Sequence, residues 1–149
     1  MSQSLSRILL HIVFSTKQRL PFIPDNLKES LHSYIGGICQ NQGCVVHRVG
    51  GTQDHVHIAC SLSRTITISK LIQEIKTGSS KWIKTQAAHN DFAWQNGYGV
   101  FSIGQNDLSK VIDYIDRQEE HHHRKTFQDE LRQLLIENHV EYDEQWLWD

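Results

Sequence analysis

From Arg7 to Thr16 the chain is almost continuously apolar and β-branched, and the turn-rich stretch Lys17 to Pro24 follows, so this segment reads as a buried strand. Pro24-Asp25-Asn26 opens a helix whose apolar residues Leu27, Leu31, Tyr34, Ile35 and Ile38 recur at spacings of three and four, with Gly43 as its stop. Cys44 to Val49 and Asp54 to Leu62 read as two strands, with Gly50-Gly51 as the hairpin turn between them. Thr67 begins a second helix with Ile68, Leu71, Ile72 and Ile75 on one face, continuing through Gly78-Ser79-Ser80 to Trp82 and Ile83. Phe92 to Ile103, aromatic and glycine-bearing, fits a strand or an irregular hairpin. A third helix starts at Asn106 or Asp107 and carries Leu108, Val111, Ile112 and Ile115 as its buried stripe. Beyond Arg124, the spacing of Phe127, Leu131, Leu134 and Leu135 predicts a tail helix, and Trp146-Leu147-Trp148 has the look of an anchor.

The order β-α-β-β-α-β-α predicts an α+β fold: a split βαβ arrangement, ferredoxin-like or RRM-like. Its antiparallel sheet would carry helices on one face and leave the other free for a ligand, with one more helix and a tail at the C-terminus. A chain of 149 residues with 38% hydrophobic and 21% charged composition suits one core, placed at residues 1–124, with 125–149 as a helical acidic tail. The apolar run Ile8 to Phe14 is short, is interrupted by His11 and lacks a cleavage motif, so neither a signal peptide nor a membrane span is expected. Cys39, Cys44 and Cys60 are odd in number and form no CxxC pair; a reducing cytoplasm is the expected setting.

A net charge of −2 speaks against a nucleic-acid partner until its distribution is considered. Residues 128–149 hold seven acidic side chains against the single Arg132, a balance of −6, which leaves the other 127 residues at +4. A mildly basic body with an acidic tail is compatible with DNA.

The strand Asp54-His55-Val56-His57-Ile58 carries the first candidate chemistry, because a period of two sends His55 and His57 to one face and Val56 and Ile58 to the core. Two imidazoles side by side suit a divalent cation with open positions for substrate oxygens, although an isolated H-x-H more often means two half-exposed histidines. The second candidate is Tyr114-Ile115-Asp116-Arg117-Gln118 on the third helix, where Asp107, Lys110, Tyr114, Gln118 and His121 form one flank. Alone, a tyrosine at such a boundary is packing. Beside a divalent ion, which eases its deprotonation and the charge on a phosphate, the phenol becomes a credible nucleophile, and Gln118 has an amide oxygen for the same ion. The run His121-His122-His123 reads as a polar helix end, since consecutive helical residues point in different directions.

Taken in order, these segments resemble the single-tyrosine HUH transposases of small bacterial insertion sequences and their REP-associated tyrosine transposase relatives. The matching residues are His11-Ile-Val-Phe-Ser-Thr16 with Lys17-Gln-Arg19, Asp54-His-Val-His-Ile58, Lys70-Leu-Ile-Gln-Glu-Ile-Lys76 leading to Lys81-Trp82, Trp94-Gln-Asn-Gly-Tyr-Gly99, and Tyr114-Ile-Asp-Arg-Gln118. The resemblance spans residues 6–121 and makes 1–124 the catalytic domain. It implies that Tyr114 cleaves single-stranded DNA with hairpin ends through a 5′-phosphotyrosine link, which a free 3′-hydroxyl later reverses. It further implies Mg²⁺ or Mn²⁺ on His55, His57 and Gln118, no nucleotide cofactor, and a homodimer in which the histidines and the tyrosine helix come from one subunit or from two. Lys17, Arg19, Arg48, Lys76, Lys81 and Lys84 are then candidates for phosphate contacts, and Trp82 and Trp94 for base stacking. Three other readings compete: a DNA-hairpin-binding relative without catalysis, a phosphodiesterase with paired HxT or HxS motifs, which this chain lacks, and a structural zinc protein, for which a closing set of ligands is missing.

Overall fold

In the computed structural model, which describes residues 2–86, 91–122 and 124–149, the first strand, β1 (Leu9–Ser15), is buried along its whole length. Its near-continuous apolar sequence suits a central position: β1 pairs antiparallel with β3 (His55–Ser61) on one side and with β4 (Gly99–Ile103) on the other. Strand β2 (Val45–Gly51) completes an antiparallel sheet of order β2-β3-β1-β4, the split βαβ arrangement expected from the element order.

Helices α1 (Asp25–Asn41) and α2 (Ile68–Gln86) cover one face. Leu10, Ile12 and Phe14 of β1 and Val56, Ile58 and Cys60 of β3 meet Leu31, Ile35, Leu71, Ile72 and Ile75 there, the main hydrophobic core. The two helices approach closely at Gly78, where a Cβ would stand 2.8 Å from Ile38 Cδ1. This contact explains a glycine in the middle of an unbroken helix.

Three details differ from the sequence expectation. Gly50 and Gly51 lie within β2, opposite His57 and Val56, and the turn is made by residues 52–54. The third helix is two helices, α3 (Leu108–Asp116) and α4 (Gln118–His122), parted at Arg117, whose φ of −101° and ψ of 20° leave the helical region. Most consequential, the second face of the sheet is not free. The tail helix α5 (Phe127–Glu137), capped by Thr126 through the Asp129 N–H, lies across it. Phe127, Leu131 and Leu135 pack with Val13 and Phe101 from the sheet, and Leu147 and Trp148 close the cluster. The tryptophan-leucine end is therefore anchored on the chain's own body. The physical cause is the sheet itself, which carries apolar Val13 and Phe101 on that face and needs them covered. No helix among the described residues is long and apolar enough to cross a membrane.

Candidate active site

His55 and His57 point to the second face, as the strand period requires, and both are fully buried beneath α4 and α5. Each imidazole is held by its Nδ1 and turns Nε2 inward. His55 Nδ1 stands 2.7 Å from the Asp54 carboxylate and 3.0 Å from Thr52 Oγ1. His57 Nδ1 is 2.7 Å from His11 Nε2 on the neighbouring strand. Fixing one ring nitrogen so that the other is aimed is what metal-binding histidines require.

Tyr114 reaches the same place from α3. Gly50 makes the approach possible, since a Cβ there would lie 2.6 Å from Ile115 Cγ2 and 3.0 Å from the Ile115 carbonyl oxygen. The break at Arg117 turns Gln118 inward, where it is 1% exposed, with Oε1 2.8 Å from His55 Nε2.

At the centre stands Glu130 of α5, only 2% exposed. Its Oε1 accepts from His57 Nε2 at 2.9 Å and lies 3.6 Å from His55 Nε2 and 3.3 Å from His122 Nε2. Its Oε2 accepts from the Tyr114 hydroxyl and, at 3.2 Å, from Gln118 Nε2. Burial raises the Glu130 carboxyl's proton affinity, but the surrounding imidazoles, His122 and His57 foremost, outweigh it and hold the group ionised, far below the usual carboxylate range. Burial, with the Glu130 charge next, pushes the Tyr114 phenol above its ordinary value, so it keeps its proton here. Burial lowers His57, and it lowers His11 to about 3, with the neighbouring His57 adding to that effect. Asp54 is also raised by burial, yet its hydrogen bond with His55 brings the net value down.

The donor set fits a divalent cation. Asp54 fixes the His55 proton on Nδ1, and Gln118 Nε2 is committed to Glu130, so the His55 Nε2 lone pair faces the Gln118 Oε1 lone pair at 2.8 Å. Two acceptors so close require a proton or a cation between them. His55, His57 and Gln118 are thus residues that could hold the ion, with Asp54 and His11 behind them.

The remaining predicted residues are spread over the molecule. Lys17 is exposed, whereas the Arg19 guanidinium lies over the Trp148 ring at 5.4 Å and one of its nitrogens, Nη1, is buried without a hydrogen-bond partner. Arg48 pairs with Asp116 at 3.3 Å, joining β2 to α3. Lys76 donates to the carbonyls of Gln95, Asn96 and Gly97, tying α2 to the loop before β4. Lys81 and Lys84 are exposed on α2, and Trp82 stacks on Tyr34 with 5.2 Å between centroids. Trp94 is 7% exposed, sits edge-on to Phe14 and Phe92, and donates its indole N–H to Ser79 Oγ, so a base has no face of it to stack on. Lys81, Trp82 and Lys84 lie on the helical side of the sheet, away from His55 and His57.

Sequence reading missed Asp54, His11, His122 and Glu130 as parts of the site. Glu130 had a signal: it falls in the apolar stripe of Phe127, Leu131, Leu134 and Leu135, where a carboxylate is out of place without a partner. His122 lies four residues after Gln118, one turn along α4. His123 and the side chain of His121 lie outside the described residues.

Comparison with known proteins gives a consistent picture. The family described as "Transposase IS200 like" matches residues 4–118. Two curated relatives, the transposases for insertion sequence element IS200 of Salmonella typhimurium and Salmonella typhi, are each 25% identical over 114 residues, covering 72% of this chain and 74% of theirs. Among solved structures, a candidate transposase from Deinococcus radiodurans R1 superposes with a TM-score of 0.61 at 17% identity, covering 79% of this chain and 98% of its own. A REP-associated tyrosine transposase bound to a REP hairpin superposes with a TM-score of 0.60 at 16% identity, covering 82% and 74%. At these identities the structural matches speak for the fold.

Proposed function

The chain belongs to the family of IS200-like transposases, and from that premise we propose that it cleaves and rejoins single-stranded DNA with Tyr114 as nucleophile. One observation carries the reading: Tyr114, His55, His57 and Gln118, drawn from three elements, converge on one buried carboxylate. A hydroxyl nucleophile beside a set of metal-type donors is the minimum equipment for phosphoryl transfer.

In the proposed reaction the Tyr114 oxygen bonds to phosphorus and the bond from phosphorus to the 3′-oxygen breaks. The phenolic proton passes, in net terms, to the departing 3′-hydroxyl, and the 5′-phosphate stays on the tyrosine. Attack by a 3′-hydroxyl on that link reverses the step and rejoins strands, so no nucleotide cofactor is consumed. A divalent ion, Mg²⁺ or Mn²⁺ in the simplest case, supplies neutralisation of charge at the phosphate and the phenolate. Asp54 and His11 keep both imidazoles aimed, and Gln118 bridges the histidine strand to the tyrosine. Both halves of the site come from one chain here, which supports use of the tyrosine within its own subunit. Because His55 and His57 are fully buried, a DNA strand reaches them only when α5 moves aside. A hairpin-ended strand is the proposed partner, by analogy with the relative bound to a REP hairpin.

The test is a denaturing gel of protein mixed with Mg²⁺ or Mn²⁺ and labelled single strands from the DNA flanking its own gene. A protein-linked band that disappears with Tyr114→Phe and with chelator is the expected result. DNA bound with no covalent band under either ion would refute catalysis and leave a hairpin-binding relative.

A further inference from the structure

We propose that Glu130 and His122 are ligands of the same ion as His55 and His57, and that this five-donor site, with Gln118, selects a first-row transition ion over Mg²⁺. The inference rests on the metal-assisted reading above and adds two residues from α4 and α5 to it.

Spacing is the first argument. Ligands about 2.0 to 2.2 Å from a common ion stand roughly 2.9 to 3.6 Å apart when adjacent, for octahedral or tetrahedral arrangements. Around Glu130 Oε1 the imidazole nitrogens lie at 2.9 Å for His57, 3.3 Å for His122 and 3.6 Å for His55, while His55 Nε2 and Gln118 Oε1 are 2.8 Å apart. The ligating atoms of His55, His122 and Glu130 all lie within 4.8 Å of one another. His55, His122 and Glu130, from a strand, a short helix and the tail, are therefore already gathered near ligand spacing, with His57 beside Glu130 and Gln118 beside His55.

Satisfaction of polar atoms is the second. His122 Nε2 is buried, and although it is 3.3 Å from Glu130 Oε1 it is out of line for a hydrogen bond. Its tie to Glu130 is one of charge rather than of an aligned hydrogen bond, an arrangement that a shared ion would also produce. Glu130 is a carboxylate buried in the apolar face of α5, a costly position unless opposite charge compensates it. A dication among three imidazoles provides that charge.

Donor chemistry decides the ion. Mg²⁺ prefers oxygen donors and keeps several waters, whereas three imidazoles in a buried site suit the first-row transition ions. Since one ligand is carried by α5, ion binding and closure of the tail over the sheet are linked, and each strengthens the other.

The experiment is optical titration of the full chain, freed of metal, with Co²⁺, whose absorption reports its ligands. Wild type, Glu130→Gln, His122→Asn and His55→Ala are compared, and wild type is challenged with Mg²⁺. Glu130→Gln and His122→Asn are each expected to weaken Co²⁺ binding by at least about 10-fold, and millimolar Mg²⁺ to leave the wild-type spectrum unchanged. Wild-type affinity in both variants, with loss in His55→Ala, overturns the two added ligands and leaves the proposed function standing. Wild-type affinity in His55→Ala as well overturns the metal reading beneath it. Displacement of Co²⁺ by an equal concentration of Mg²⁺ overturns the choice of ion. Should a variant fail to fold, amide exchange in wild-type α5 decides instead: Co²⁺ is expected to slow it, and unchanged exchange overturns the ligand role of Glu130.

Discussion

Phe127→Ala separates a tail that is part of the fold from one that merely rests on it. Phe127 is buried, its ring stacks on His55 with 4.9 Å between centroids and 22° between planes, and it shares a cluster with Val13, Phe101, Leu131 and Leu135. Removing a buried aromatic ring from such a cluster costs about 3 to 5 kcal/mol, through lost burial and the cavity left behind. That is a large share of the roughly 5 to 15 kcal/mol that keeps a domain of this kind folded. A side chain of a loosely laid tail would cost less than about 1 kcal/mol. Urea unfolding followed by circular dichroism measures the global loss, and amide exchange along Phe127–Glu137 measures local opening of α5. The expected outcome is a lower urea midpoint together with faster exchange in α5. A change below about 1 kcal/mol with unaltered exchange would refute the packing argument, and with it the claim that the tail covers His55 as part of the domain.

Two further outcomes are expected. Gly50→Ala forces a Cβ against Ile115 and displaces α3, so it should cost about 1 to 3 kcal/mol of stability and lower the rate of covalent adduct formation by more than that loss accounts for; equal adduct rates in variant and wild type would show that Tyr114 does not depend on this contact. His32, on α1 away from the site, is lowered to about 4, first by burial and then by Lys28. Its stabilising contribution is therefore complete above pH 6.5, where it is neutral in both states, and is lost as pH falls through 6.5 towards 4, because the unfolded chain binds the proton first. Between pH 7.5 and 4.5 the wild type should lose about 2 to 3 kcal/mol more than His32→Gln in urea titrations, and parallel losses would contradict this.

Much of this molecule was legible in its sequence. Short-range pattern is enough for the strand carrying His55 and His57, for the helical stripes and for the split βαβ order, because side-chain direction in a strand or helix is a local property. The same applies to the H-x-H and tyrosine segments whose order carries the family resemblance. The turn beyond Gly51 and the break at Arg117 were not legible, since Gly50 is used for its closeness to Ile115 and Gln118 is drawn inward by His55 and Glu130.

By itself, then, the sequence determined which residues could carry chemistry and which face of each element they occupy. Only the tertiary structure decided that the supposedly free face is covered, because Val13 and Phe101 need apolar partners and the nearest suitable stripe is that of α5. It alone placed Glu130 against His57, 73 residues away along the chain. Helical periodicity shows that Glu130 lies on a buried stripe, but the partner of a buried charge is set by how the helix docks on the sheet, which no local pattern encodes.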